Sequence, residues 1–216
     1  MNLPITAALL LCTSAVLSQA PAQSKSGTSD PRMTKEEREH VVKLLKDSEK
    51  EFLASTENLT DAQWNFKSPP INGRERWSIA ECAEHIMLAE AAIFGRVQAA
   101  LAAPVNPDWE AKTAKKTEFL ERILPDRSGK ATAPEAITPK SNVTRAEIMA
   151  RYKELRAKTI KFAETTDLPL KEHTVDNPFP VIGTLNAYQW LIYVPLHNIR
   201  HNLQLNEVKT YEGYPK

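Results

Sequence analysis

The stretch from Leu185 to Val208, LNAYQWLIYVPLHNIRHNLQLNEV, is apolar nearly all round when wound at helical spacing. Leu185, Tyr188, Ile192, Leu196, Ile199 and Leu203 fall on one side, while Trp190 and Val194 share the other with His197 and His201. A helix without a broad solvated face must be surrounded by other elements, so this stretch predicts the central or near-central helix of a helical assembly. Its two imidazoles, four residues apart, stack on one face about one turn from each other. Divalent-ion sites use that spacing because both rings can aim a nitrogen at one ion about 2.0–2.1 Å away. A pair of buried histidines bonded to Tyr, Asn or Gln partners fits the same residues equally well. Pro195 has no amide proton and crowds the Leu191 carbonyl, which predicts a bend just before His197.

The partners of this helix are announced by capping boxes, in which a Ser or Thr is followed three residues later by Glu or Gln. Thr34 with Glu37 opens a first long helix, and Thr60 with Gln63 a short turn before Trp64. Ser78 with Glu81 opens a second long helix that runs to about Ala102, before Pro104. Thr144 with Glu147 opens a third. Apolar stripes accompany them: Val41, Val42, Leu45, Phe52 and Leu53 on the first; Ile79, Cys82, Ile86, Ala89, Ile93 and Val97 on the second; Ile148, Tyr152, Leu155, Thr159 and Phe162 on the third. The other face of the third helix reads as a solvated basic one, with Arg145, Arg151, Lys153, Arg156, Lys158 and Lys161. Ala103 to Val143 has no sustained periodicity beyond Lys112 to Leu124, which reads as a short, highly charged helix. It reads as a long connection, of the kind that serves as a lid or is simply mobile. Leu168 to Gly183, with three prolines, reads as an extended connection.

Residues 1–22 read as a secretory signal peptide. Ile5 to Leu17 carries no charge, is short for a mature membrane span, and is followed by the small-residue sequence Ala20-Pro21-Ala22. The α-amino group is the only positive charge before this run, so a start of translation at Met33, giving a cytoplasmic protein, is the alternative. Residues 23–33 read as a disordered polar leader and 34–216 as one domain, a length suited to a single core. Cleavage leaves Cys82 as the only cysteine, so no intramolecular disulfide is expected in a periplasmic or secreted product. Cys82 itself reads as a packing residue, with no cation nearby in sequence to lower its pKa. The formal net charge of +1 gives no electrostatic footprint for nucleic acid.

His85 lies in WSIAECAEHI, on the flank of the second helix's stripe, where it can point inward; alone it reads as readily as a half-buried structural histidine. His40 reads as a surface residue and His173 as a loop residue.

WSIAECAEHI, together with PLHNIRHNLQLNEV and its His197, His201 and Gln204 in an HxxxHxxQ arrangement, resembles the DinB-like (YfiT-like) superfamily over roughly Thr34 to Val208. The resemblance implies an all-α, antiparallel four-helix bundle with a long connection between the second and third long helices. It also implies a divalent ion, zinc or nickel, held by His85, His197 and His201 with positions left open for water or substrate. Such a centre would acidify a bound water or hold a thiol as thiolate, which implies a hydrolase or a thiol-dependent transferase acting on a small molecule. Because low-molecular-weight thiols belong to the cytosol, export favours hydrolysis. A non-catalytic metal- or small-molecule-binding bundle is the reading from another class. Glu81 and Glu84 are nearby carboxylates, although helical geometry sets Glu84 far from the stripe, and Arg200 is an anchor for an anionic substrate or a surface ion pair. No stable membrane anchor is expected after cleavage, and a homodimer is compatible with such a bundle.

Cleavage near Ala22 is checked by intact-mass measurement on natively expressed, fractionated protein. The expected species lacks the leader and is found outside the cytoplasm; a cytosolic species beginning at Met33 would contradict export.

Overall fold

The computed structural model describes residues 29–70, 73, 75–129 and 132–216, so the expected signal peptide and residues 23–28 of the expected leader lie outside the described residues. In chain order the elements are α1 (Lys35–Thr56), α2 (Asp61–Asn65), α3 (Ile79–Ala102), α4 (Trp109–Thr113), α5 (Lys116–Ile123), a single 3-10 turn (Glu135–Ile137), α6 (Arg145–Thr165), β1 (Thr174–Asp176), β2 (Thr184–Asn186) and α7 (Ala187–Val208). All four capping boxes read from the sequence form, each with the side chain accepting from the third helical amide and the reciprocal bond made. A fifth sits at Asn186 and Gln189, so α7 begins at Ala187 rather than at Leu185. This last cap is buried and tied to α4. Asn186 Nδ2 donates to Thr113 Oγ1 at 3.1 Å, and Gln189 Nε2 donates to the Thr113 carbonyl at 2.8 Å.

The four long helices make a bundle in which α7 packs on α3 and α1, and α6 packs on the same two helices. Helices α6 and α7 therefore face each other across the bundle, with the Tyr152 hydroxyl donating to Asn198 Oδ1 at 3.3 Å between them. Helix α7 continues unbroken through Pro195 and is buried along almost its whole length, as its composition demands. Each fully buried Leu, Ile or Val on it stabilises the fold by roughly 1.5–3 kcal/mol relative to exposure. Residues 29–33, expected to belong to the leader, run against the bundle: the Pro31 carbonyl accepts from the Lys171 amide at 2.8 Å and Met33 is buried.

Three sequence expectations need correction. The charged run over Lys112 to Leu124 is two helices rather than one, because Lys115 adopts a left-handed conformation (φ 59°) that turns α5 onto α7 and buries Leu120 and Leu124. The connection before α7 contains a small antiparallel hairpin, Val175 opposite Leu185, whose three-residue strands are too short to show a period. Gly183, with φ +69°, makes the turn into its second strand.

The third correction is the largest. Arg156, expected on the solvated face of α6, is fully buried, while Leu155 and Phe162 are only half-buried. Its Nε and Nη2 donate to the two carboxylate oxygens of Glu90 on α3 at 2.9 and 2.7 Å. Its Nη1 donates to the Leu45 carbonyl (2.6 Å) and Ser48 Oγ (2.7 Å) on α1, and Thr159 Oγ1 donates to Glu90 at 3.0 Å. One guanidinium thus fastens three helices, and desolvation of the pair is offset because nearly every donor and acceptor in it is matched.

Removing one member should leave a bare charge in the core. Glu90→Ala or Arg156→Ala is expected to lower unfolding free energy by about 3–5 kcal/mol, whereas Glu90→Leu combined with Arg156→Met should lose far less than the sum of the single changes. Urea denaturation of the four proteins checks this.

Candidate metal centre

Three histidines meet where α3 faces α7. His85 is brought in by the second turn of α3, whose start is fixed by the Ser78 cap, and His197 and His201 project from successive turns of α7. Ring centroids are 4.3 Å apart for His85 and His201, 4.4 Å for His197 and His201, and 5.1 Å for His85 and His197. One nitrogen from each ring lies within 4.8 Å of the other two. Two ligands 2.1 Å from one ion at the tetrahedral angle stand about 3.4 Å apart, so closing the widest pair needs ring movements of about 1.4 Å at most.

Aromatic rings pack against the cluster. Trp77, the residue before the Ser78 cap, lies 4.8 Å from the His85 ring and 6.0 Å from that of His201. On the far side Tyr193 stacks on His197 at 6.1 Å, and Trp190 stacks on Tyr193 at 5.5 Å.

The outer nitrogens of two rings are engaged. His85 Nδ1 donates to the Ile137 carbonyl of the 3-10 turn at 2.7 Å, and His201 Nδ1 donates to Gln204 Oε1 at 2.9 Å. A proton on Nδ1 leaves Nε2 with its lone pair, the state that binds a metal, and such outer bonds commonly set the tautomer of ligating histidines. Burial pushes the His85 pKa down to about 4 against the pull of the Ile137 carbonyl. His197 and His201 are held well below the usual range, first by burial and then by the neighbouring imidazoles and Arg200. All three rings are therefore neutral near pH 7. A largely buried set of neutral imidazoles, two of them with Nε2 unprotonated, could hold a divalent ion.

The other residues singled out in the sequence lie elsewhere. His40 pairs with Glu121 at 2.6 Å on the surface, and His173 bonds the Ala103 carbonyl at the foot of the hairpin. Glu81 completes the α3 cap and meets Lys67 at 3.0 Å. Glu84, expected far from the core, is buried, its carboxylate accepting from the amides of Lys140 and Ser141 at 3.0 Å each. Arg200 holds the backbone carbonyls of Leu124, Asp126 and Gly129, so it is a loop clamp and not an anion anchor. Residue patterns gave no sign of Ile137, whose contribution is a carbonyl in an aperiodic segment, nor of Tyr193, which reads simply as a core aromatic.

A sequence model of the DinB superfamily matches residues 44–205. Among solved structures, YfiT from Bacillus subtilis, described as a probable metal-dependent hydrolase with an unusual four-helix bundle topology, is similar with a TM-score of 0.55 and 15% identity, covering 91% of this chain and 95% of that one. No curated protein matches the chain.

Neutral burial has a consequence for metal-free protein. A histidine whose folded pKa is depressed is neutral in both states above about pH 6.5, so its contribution to stability is full there. As pH falls from about 6.5 towards 4 the unfolded chain takes up a proton that folded His85 refuses, and roughly 3 kcal/mol is lost by the lower limit. His85→Gln should flatten that part of the stability profile. Urea unfolding in chelator between pH 7.5 and 4.5 measures the difference between the two proteins.

Proposed function

The chain belongs to the DinB superfamily, and we propose that it is an exported, metal-dependent enzyme that hydrolyses a small molecule at a centre formed by His85, His197 and His201. One observation carries the reading: three ligand-capable nitrogens from two helices lie within 4.8 Å of one another. The description of YfiT as a probable metal-dependent hydrolase supports extending that class of chemistry to this chain. A divalent ion held by three neutral imidazoles keeps its full charge and open coordination positions, and would act as a Lewis acid towards water and a carbonyl or similar oxygen. Burial keeps the imidazoles neutral, the Ile137 carbonyl and Gln204 orient His85 and His201, and Trp77 and Tyr193 pack against the cluster. Glu81 and Glu84 are committed to the α3 cap and to the connection, so neither serves as a general base. The uncharged run at the N-terminus and the small residues after it support the export part of the reading.

Purified protein reconstituted with zinc or nickel is expected to hold about one ion per chain. Metal that binds only the native state stabilises it by about 2.7 kcal/mol when free metal is about 100 times Kd, so chelation should lower the melting temperature. His85→Ala, His197→Ala and His201→Ala should each lose most of the metal and of this chelator sensitivity, while His40→Ala and His173→Ala keep both. Turnover of an ester and amide panel should follow the metal. Wild type that stays metal-free, or triad variants that bind like wild type, would overturn the metal centre. Metal binding without turnover would make the protein a binding bundle, and turnover only of thiol conjugates would make it a transferase.

A further inference from the structure

His201 presents its Nε2 lone pair only while Nδ1 carries the proton, and Nδ1 faces Gln204, a residue that can offer either an oxygen or an amide nitrogen. If the amide turned over, its NH2 would donate to Nδ1, the ring proton would move to Nε2, and the ligand atom would be blocked. Gln204 alone therefore does not set the tautomer.

The residue that decides it comes from the connection after α5. Arg127 Nη1 donates to the same Gln204 Oε1 at 3.2 Å. Guanidinium is a donor only and does not lose its proton in proteins, so a turned amide would set NH2 against N–H. Arg127 is itself fixed, with Nε and Nη2 donating to the two oxygens of Glu207 at 2.6 and 2.8 Å. The loop that carries it is held by Arg200 on α7 through the Leu124 and Asp126 carbonyls. Glu207, Gln204, His201 and Arg200 all belong to α7, so the arrangement is built on one rigid element.

We infer that Arg127 is a positioning residue which, by orienting the Gln204 amide, selects the His201 tautomer whose Nε2 can bind the metal. This rests on the metal-centre reading for its purpose, but the tautomer itself can be observed without metal. His85 is an internal control, because the Ile137 carbonyl opposite its Nδ1 can only accept.

The test is long-range 1H–15N correlation on metal-free protein with 15N-labelled histidines at pH 7.5, run beside zinc competition against a chromophoric chelator. Wild type should show the Nδ1–H form at both His85 and His201. Arg127→Met should shift His201 towards Nε2–H, leave His85 unchanged, and weaken zinc binding about 10–100-fold, the usual effect of losing an outer partner. Adding Gln204→Glu to Arg127→Met should restore the Nδ1–H form, because a carboxylate at that position can only accept. Should Arg127→Met fail to fold, Arg127→Gln, whose amide can donate or accept, is expected to give the same mixed tautomer. An unchanged His201 tautomer in a folded Arg127 variant overturns the inference, even if zinc binding falls, since the loss would then be structural. Wild type that binds no zinc would instead sink the metal centre, while the tautomer comparison still decides the role of Arg127.

Discussion

Three imidazoles share one largely buried spot most readily when none is charged and the N–H groups turned into the protein find acceptors. A proton added to any ring would face two others with centroids 4.3–5.1 Å away, in a largely buried setting that disfavours charge. An N–H left without an acceptor there would cost about 1–3 kcal/mol. The fold answers with the Ile137 carbonyl for His85 and the Gln204 amide oxygen for His201. These acceptors are as much a part of the centre as the rings, and the placing of the surrounding segments follows from the need to supply them.

That need explains the long connection between α3 and α6. Its near end is gripped from α7, where Arg200 takes the carbonyls of Leu124, Asp126 and Gly129 and Gln204 and Glu207 take Arg127. Its far end is gripped from α3, where consecutive residues act on one short segment. His85 donates to the Ile137 carbonyl, and Glu84 accepts from the Lys140 and Ser141 amides. Two bonds from backbone N–H to a carboxylate are charge-assisted, which offsets burial of the Glu84 charge. The connection is a strap that completes the surroundings of two of the three histidines.

What was legible in the sequence is what depends on local chemistry. Capping boxes report hydrogen bonds between residues three apart, so Thr34, Thr60, Ser78 and Thr144 mark helix starts without knowledge of the fold. The stripe from Ile79 to Val97 and the apolar circumference of α7 locate the bundle core, and the inward flank of α3 brings His85 to the pair on α7. Long-range pairing was not legible. Arg156 and Glu84 look like surface charges because their partners lie 66 and 56 residues away, at Glu90 and Lys140. The Ile137 carbonyl carries no residue signature at all. The fifth capping pair, Asn186 with Gln189 at the start of α7, has the right spacing, but its apolar flanks look like helix interior.

Two buried polar clusters of the bundle, around Arg156 and at the histidines, differ in a way that separates holding a fold from holding a ligand. Around Arg156 the guanidinium is matched by Glu90, Ser48 and a carbonyl, and the carboxylate by Arg156 and Thr159, so the cluster is satisfied within the chain. It ties α1, α3 and α6, yet a well-packed apolar set of similar volume could take its place. At the histidines only the outward nitrogens of His85 and His201 are matched. Among the described residues no protein donor is hydrogen-bonded to their Nε2 atoms, and one nitrogen from each of the three rings lies within 4.8 Å of the other two. Histidines serving only as core residues would be expected to meet donors there as well as acceptors on the other side. Acceptors that gather and face each other without donors repel unless something electropositive lies between them, and a divalent cation is the species that such a set would hold.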